Sequence, residues 1–284
     1  MDNRLRARKG IECSFVIGYN EIGFYYREEA SYMENRNTKD CIGLIPAAGK
    51  GLRLGLPYPK ELYPIIRNNR YKPVSQFVVD NLLAAHVKHL IFVVNETKGQ
   101  ILGYFGSGRR LNCSISYVVQ ELTDNSIRST SPGLANALDS AYHLTTGKTV
   151  FFGMADTVMQ PVDVFLRAYA FMQPSDDAVL CLFPTDTPEK FGMVRCLGDR
   201  VLEIIDKPTE TDLTFMWGCI IWSYRFTEYL HACVNVHGMT DFATIMNQAI
   251  QAGHQFRGIY LNDGNYLDLG TYEEIMELDR RLRD

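Results

Sequence analysis

The chain has 284 residues, 46% hydrophobic and 22% charged, with a formal net charge of −4, the make-up of a soluble globular protein with a sizeable core. Its negative balance, with no basic cluster beyond the Arg/Lys scatter at residues 4–9, argues against a nucleic-acid partner, and no apolar run nears the ~18 residues of a membrane-spanning helix. Seven cysteines, at 13, 41, 113, 181, 196, 219 and 233, form no CxxC pair, which points to a reducing, cytoplasmic compartment and to thiols used as small packing groups.

Residues 1–40 have mixed charge and no clear period, and Glu12, Asn20 and Glu21 interrupt the apolar positions of 11–26. That pattern speaks against a signal peptide and reads as an N-terminal extension, disordered or a misassigned start, with Met33 as a second methionine. From residue 41 onward strands and helices alternate. Residues 42–45 read as a buried strand, and 73–87 carry Val74, Phe77, Val78, Leu82 and Ala85 on one helical face with Pro73 in the first turn. Residues 90–94 and 115–119 are unbroken apolar strands, 133–144 repeats Leu134, Ala137, Leu138 and Ala141 at helical spacing, and 150–153, 161–172 and 178–183 read as strand, helix and strand. Such unbroken strands in a βαβ rhythm predict an α/β fold with a Rossmann-like, mostly parallel central sheet and helices on both faces. Beyond residue 190 the pattern changes. Segments 191–196 and 201–206 flank Gly198-Asp199 as a hairpin, and 215–222 is a strand followed by helices near 225–233 and 241–252. Two more strands, 255–261 and 266–269, precede a helix over 271–282 with Thr271 as cap and Glu274 three residues on. A first half, about 41–175, and a second, about 176–284, are expected to share one continuous sheet.

The stretch from 43 to 65 is the most informative. Its strand runs into Ala47, Ala48, Gly49 and Gly51, whose small side chains leave backbone N–H groups open to an anion. Arg53 and Lys60, seven positions apart, bring two cations to the same place, and Lys60 is held between Pro59 and Pro64. A backbone nest with an arginine and a lysine is a triphosphate site. Asp156 follows the strand at 150–153, and Asp268 lies in that at 266–269. Two carboxylates delivered from strand ends can share Mg²⁺, whose preference for oxygen ligands matches a triphosphate. Singly, each is as readily a turn residue or cap; together with Arg53 and Lys60 they favour a metal site.

The same residues carry a resemblance. Gly49-x-Gly51-x-Arg53 and Pro59-Lys60 are followed, in order, by Gln120, Gly133-Leu134-Ala135-Asn136-Ala137, Gly153-Met154-Ala155-Asp156, Phe191-Gly192-Met193-Val194, Asp206-Lys207-Pro208 and Asp268-Leu269-Gly270-Thr271. This series, from residue 41 to about 274, resembles the sugar-1-phosphate nucleotidyltransferases, which include the glucose-1-phosphate thymidylyl- and uridylyltransferases. The resemblance implies the nucleotide-diphospho-sugar transferase fold. It implies attack by a sugar-1-phosphate oxygen on the α-phosphorus of a nucleoside triphosphate, with Mg²⁺ and release of pyrophosphate. On that reading Arg53 holds the β- and γ-phosphates, Lys60 sits on the α-phosphate and Lys207 contacts the sugar phosphate. Ala47, Ala48, Gly49, Gly51, Gln120 and Gly133 take the nucleotide in the first half. Phe191, Gly192, Asp206 and Gly218 face the sugar in the second, and Asp156 and Asp268 hold the metal. Asp139, Arg128 and Trp217 read as structural.

A glutamine amide offers both donor and acceptor, as the uracil or thymine edge demands, so dTTP or UTP is favoured. The Arg53–Lys60 segment is shorter than in the sugar nucleotidyltransferases and nearer that of methylerythritol-phosphate cytidylyltransferases, and Asp206 stands where the family often has Glu. A cytidylyltransferase for another alcohol phosphate therefore stays open. So does a non-catalytic NDP-sugar sensor or scaffold, which would be expected to lack Arg53, Lys60 or an aspartate. A dinucleotide oxidoreductase is rejected because Leu54 stands where G-x-G-x-x-G needs its third glycine. The expected partners are a nucleoside triphosphate and a sugar-1-phosphate, with no nucleic acid or membrane; the sugar, the base and any homo-oligomer are left open.

Overall fold

The computed structural model describes residues 40–49, 51, 54–67, 70–121 and 133–281. The extension expected over 1–40 lies, apart from Asp40, outside the described residues, as do Arg53 and Arg128. In chain order the elements are β1 (Cys41–Pro46), β2 (Pro64–Arg67), β3 (Arg70–Pro73), α1 (Ser75–Ala84), β4 (His89–Val94), α2 (Gly99–Phe105), β5 (Ser114–Val119), α3 (Leu134–Asp139), α4 (Tyr142–Thr145), β6 (Thr149–Gly153), β7 (Thr157–Gln160), α5 (Val164–Phe171), β8 (Ala178–Pro184), β9 (Gly192–Leu197), β10 (Arg200–Asp206), β11 (Phe215–Trp222), α6 (Tyr224–Asn235), α7 (Phe242–Gln251), β12 (Phe256–Tyr260), β13 (Asn265–Asp268) and α8 (Tyr272–Arg281).

The central strands read as unbroken apolar runs because alternate side chains feed two separate cores. From β4, Leu90 and Phe92 enter one core with Val78 and Leu82 of α1, Phe105 of α2 and Phe165 of α5. From the same strand, Ile91 and Val93 enter the other, with Leu138 of α3, Phe226 of α6 and Ile245 and Met246 of α7. Helices therefore cover both faces. The nine strands of the sheet run β5-β4-β1-β6-β11-β8-β12-β10-β9.

Parallel pairing dominates only the first part of that sheet. β5–β4, β4–β1, β1–β6 and β8–β12 are parallel. β6–β11, β11–β8, β12–β10 and β10–β9 are antiparallel. The expected mostly parallel sheet is thus corrected to a mixed one. Two strands are reversed: β10, which runs against β12 and β9, and β11, which inserts between β6 and β8 and runs against both. The apolar sequence of β11 looks like that of any doubly buried strand, so direction was not readable from it.

Other boundaries moved for local reasons. Pro73 ends β3 rather than opening the following helix, and the β2–β3 hairpin was not expected. The helix expected over 133–144 divides into α3 and α4, where Ser140 Oγ donates to the Ala137 carbonyl at 2.7 Å and competes with helical bonding. The 198–199 hairpin and the Thr271 cap are present as expected: Glu274 Oε2 accepts from the N–H groups of Gly270 and Thr271, and Thr271 Oγ1 accepts from Glu274 N. The six described cysteines are all free. Among the described residues no helix is long and apolar enough to cross a membrane.

Candidate active site

In the parallel part of the sheet, β4 and β5 lie to one side of β1 and β6 to the other. The C-terminal ends of β1 and β6 therefore flank a topological switch point, where open α/β sheets leave a crevice for ligands. β1 delivers Ala47 and Ala48 there. Ala47 N donates to Val93 O at 2.7 Å, and Ala48 O accepts from the buried Asn95 Nδ2 at 2.6 Å. Gly49 is exposed with open space where a Cβ would stand, and Gly51 has φ +62°, a left-handed value that glycine adopts without strain. A Cβ on Gly51 would stand 3.9 Å from Lys60 Cγ, so the loop and the lysine are neighbours.

Lys60 opens a single tight turn, Lys60–Leu62, that begins after Pro59. From the opposite side, β6 ends at Gly153 and the chain turns through Asp156 into β7, which pairs antiparallel with β13. In that pairing Asp268 faces Thr157, and Leu269 N donates to Asp156 O at 3.0 Å. Two aspartates 112 positions apart in sequence thus come to adjoining strand ends. Lys60 Nζ donates to Asp156 Oδ2. Burial would lower the lysine's pKa, but the charge and hydrogen bond of Asp156, then the charges of Asp268 and Glu61, raise it overall. Lys60 is a cation held by Asp156, with the charge of Asp268 close enough to favour its protonated form.

Among the described residues no group of three or more His, Cys, Asp and Glu side chains gathers as a metal cage. Asp156 and Asp268 instead present a two-carboxylate, oxygen-only donor set. That suits Mg²⁺, which commonly takes one or two protein carboxylates and completes its shell with water and substrate phosphate.

The residues expected on the sugar side also converge. Gly192 and Asp206 are register partners across β9 and β10, and Lys207 N donates to Phe191 O at 2.9 Å. Lys207 has φ +47°, a left-handed value uncommon for a residue with a Cβ and unfavourable before Pro208. Such backbone is retained where surrounding structure fixes it, often at a site. Gly218 is packed so closely that a Cβ would stand 2.6 Å from the rings of Phe183 and Tyr266. Phe191 meets Tyr266 edge-on at 5.8 Å. Burial, then the charges of Asp268 and Asp156, push the Tyr266 phenol well above its ordinary pKa. Tyr266 therefore stays protonated and joins the aspartate pair to the Phe191–Gly192 corner. It was not foreseen, although alternation two residues before Asp268 puts both on one face of β13.

Gln120 follows β5, with its N–H on Val94 O at 2.8 Å; its side chain is buried, and Nε2 has no partner among the described residues. Gly133 caps α3, and a Cβ there would stand 2.1 Å from Thr240 O, so close packing against that backbone alone requires glycine. Trp217, read as structural, packs its indole against Gly192. Asp139 is structural as expected, binding His231 and Asn235 of α6. Sequence reading also missed a buried ion pair beside Lys60: Lys98 Nζ lies 2.9 and 2.7 Å from the two carboxylate oxygens of Glu61. A cavity of about 490 Å³ opens here, lined among others by Gly51, Tyr58, Lys60, Thr97 and Lys98.

The sequence profile of the nucleotidyl transferase family matches residues 42–284. The chain is 26% identical to a glucose-1-phosphate thymidylyltransferase of Streptomyces griseus over 84% of its own length and 64% of the relative's. It is 38% identical to a shorter stretch of a Methanocaldococcus jannaschii protein assigned as a UTP–glucose-1-phosphate uridylyltransferase, a quarter of each chain. A UTP–glucose-1-phosphate uridylyltransferase of Mycoplasma pneumoniae is 22% identical over 80% of this chain and 87% of that one. The chain thus spans less than two thirds of the length of the Streptomyces and Methanocaldococcus relatives. The fold is similar to that of a Bacillus anthracis protein provisionally assigned as a glucose-1-phosphate thymidylyltransferase, solved with sucrose, at a TM-score of 0.73 and 22% identity over 86% of this chain and 96% of that one. It is also similar to a UDP-glucose pyrophosphorylase of Acinetobacter baumannii, at a TM-score of 0.67 and 16% identity over 84% and 92% of the two chains.

Proposed function

The chain belongs to the nucleotidyl transferase family, among the sugar-1-phosphate nucleotidyltransferases, and from this we propose that it joins a nucleoside triphosphate, dTTP or UTP, to a sugar-1-phosphate with Mg²⁺. A phosphate oxygen of the sugar-1-phosphate attacks the α-phosphorus, and the bond to the β-phosphate bridging oxygen breaks. The products are a nucleoside diphosphate sugar and pyrophosphate. The observation that carries this reading is Lys60, beside the Gly51 loop and ion-paired with Asp156, which adjoins Asp268 through the β7–β13 pairing.

Phosphoryl transfer needs alignment and cations more than covalent help. Lys60 is aimed at the α-phosphate, where negative charge builds, and Arg53 is assigned to the departing β- and γ-phosphates. Backbone N–H groups of Ala48, Gly49 and Gly51 take up the triphosphate; Ala47, expected among them, has its N–H bonded to Val93 O and supplies only a small side chain to the loop. Gln120 presents its amide to the base, and Gly133 is assigned to the same nucleotide half. Lys207 meets the phosphate of the sugar, and Phe191, Gly192, Asp206 and Gly218 shape the sugar pocket. Asp156 and Asp268 would hold Mg²⁺, which when bound offsets charge on the phosphate oxygens. The test is pyrophosphate release across the five common triphosphates with several sugar-1-phosphates and non-sugar alcohol phosphates. Release with dTTP or UTP and a sugar-1-phosphate supports the proposal. Release only with CTP and another alcohol phosphate points to the cytidylyltransferase reading, and no release with any pair refutes catalysis.

A further inference from the structure

The turn between β4 and α2 was given no role in the reaction, yet it grips both sides of the phosphate site. Asn95, 2% exposed, donates from Nδ2 to the Ala48 carbonyl at 2.6 Å, and its Oδ1 accepts from Thr97 N and Oγ1 at 2.9 and 2.7 Å. Lys98 N closes the turn on Asn95 O at 3.0 Å. From there the Lys98 side chain, 4% exposed, reaches both oxygens of Glu61, 2% exposed. Glu61 is the residue after Lys60, and its carbonyl is fixed by Ser75 Oγ at 2.7 Å.

We propose that Lys98 is a positioning residue for the transfer reaction: by occupying the Glu61 carboxylate it keeps Lys60 directed at Asp156 and the α-phosphate. The proposal rests on the function proposed above. A buried carboxylate that stays ionised needs a cation. Lys60 is adjacent in sequence and opens the same turn as Glu61. With Lys98 gone, Glu61 competes with Asp156 for Lys60. With both charges of the pair gone, that competition ends, and replacing a whole buried ion pair is commonly tolerated.

The test measures kcat and KM for pyrophosphate release, with thermal unfolding, in the wild type, Lys98→Met and Glu61→Gln/Lys98→Met. We expect Lys98→Met to lose about 100-fold in kcat, the scale of a misaligned catalytic group, with KM for the sugar phosphate unchanged. The double variant should recover to within about tenfold of wild type. A Lys98→Met enzyme that unfolds earlier but keeps normal kcat overturns the proposal, as does a double variant no faster than Lys98→Met. If Lys98→Met does not fold, the double variant decides alone, since a kcat as low as that of Lys60→Ala refutes the proposal. A wild type that releases no pyrophosphate overturns the underlying function first, and is seen before any variant is compared.

Discussion

Gly192→Ala is a substitution whose effect can be worked out from distances. An added Cβ would stand 2.3 Å from Trp217 Nε1, 3.0 Å from Cδ1 and 3.3 Å from Cε2. Ordinary contact would require the indole to retreat by about 1 Å. It has little room, because Trp217 lies against Phe152 and Phe242 with ring centroids 6.1 Å away in each case. Overpacking of this kind costs about 1–3 kcal/mol, which for a chain of this size lowers Tm by roughly 2–12 °C. Gly192 is also assigned to the sugar pocket, so KM for the sugar phosphate should rise about tenfold while KM for the triphosphate holds. Gly103→Ala is the control. It lies in α2 with nothing within 4 Å of an added Cβ, and should gain about 0.5–1 kcal/mol from helix propensity. Differential scanning calorimetry and initial rates on the two variants check both halves. Wild-type Tm and sugar-phosphate KM in Gly192→Ala would refute the close packing and the sugar assignment together.

Lys60→Ala should lower kcat by about 10²–10³-fold, because it removes a charge aimed at the reacting phosphate; far-ultraviolet circular dichroism should be unchanged, and near-normal turnover would contradict its role. Gln120→Leu should weaken the preference among triphosphates by about 1–3 kcal/mol, since the amide it removes is buried with a free Nε2 among the described residues; kcat/KM ratios across the five triphosphates measure it, and an unchanged ratio would remove Gln120 from base reading. Glu61 supplies a pH test. Burial raises its pKa above 4.5 more strongly than Lys98 lowers it, so the folded state binds that proton more tightly than the unfolded chain. Wild-type stability relative to Glu61→Gln should therefore fall as pH rises from about 4.5 through the raised value, then level off; a pH-independent Tm difference would contradict the sign.

Features that depend on one short segment were legible in the sequence. The β1 run, its small-residue loop, the Gly198-Asp199 hairpin and the Thr271–Glu274 cap each announce themselves locally. Asp156 and Asp268 were legible as carboxylates at strand ends, and their adjacency came from the β7–β13 pairing. That pairing is long-range: β13 was expected at 266–269, whereas the four residues of β7 carry too little pattern to be seen alone. The same reason hid β11's direction, since burial on both faces selects apolar residues whichever way a strand runs. Glu61 and Lys98, 37 positions apart, look like ordinary surface charges until the β4–α2 turn is laid against the Lys60 turn. Lys207 was readable as part of Asp206-Lys207-Pro208, but its left-handed backbone was not, because lysine rarely adopts it.

The central claim is that Asp156 and Asp268 serve one Mg²⁺ beside Lys60. It is tested most directly by titrating initial rate against Mg²⁺ for the wild type, Asp156→Asn, Asp268→Asn and the double variant. Each single substitution keeps shape and removes one negative charge, so each should slow turnover strongly and shift the Mg²⁺ curve to higher concentration. The double variant should be little worse than either, because losing one carboxylate already spoils a shared site. Curves that overlay the wild type would make both aspartates turn residues and contradict the account.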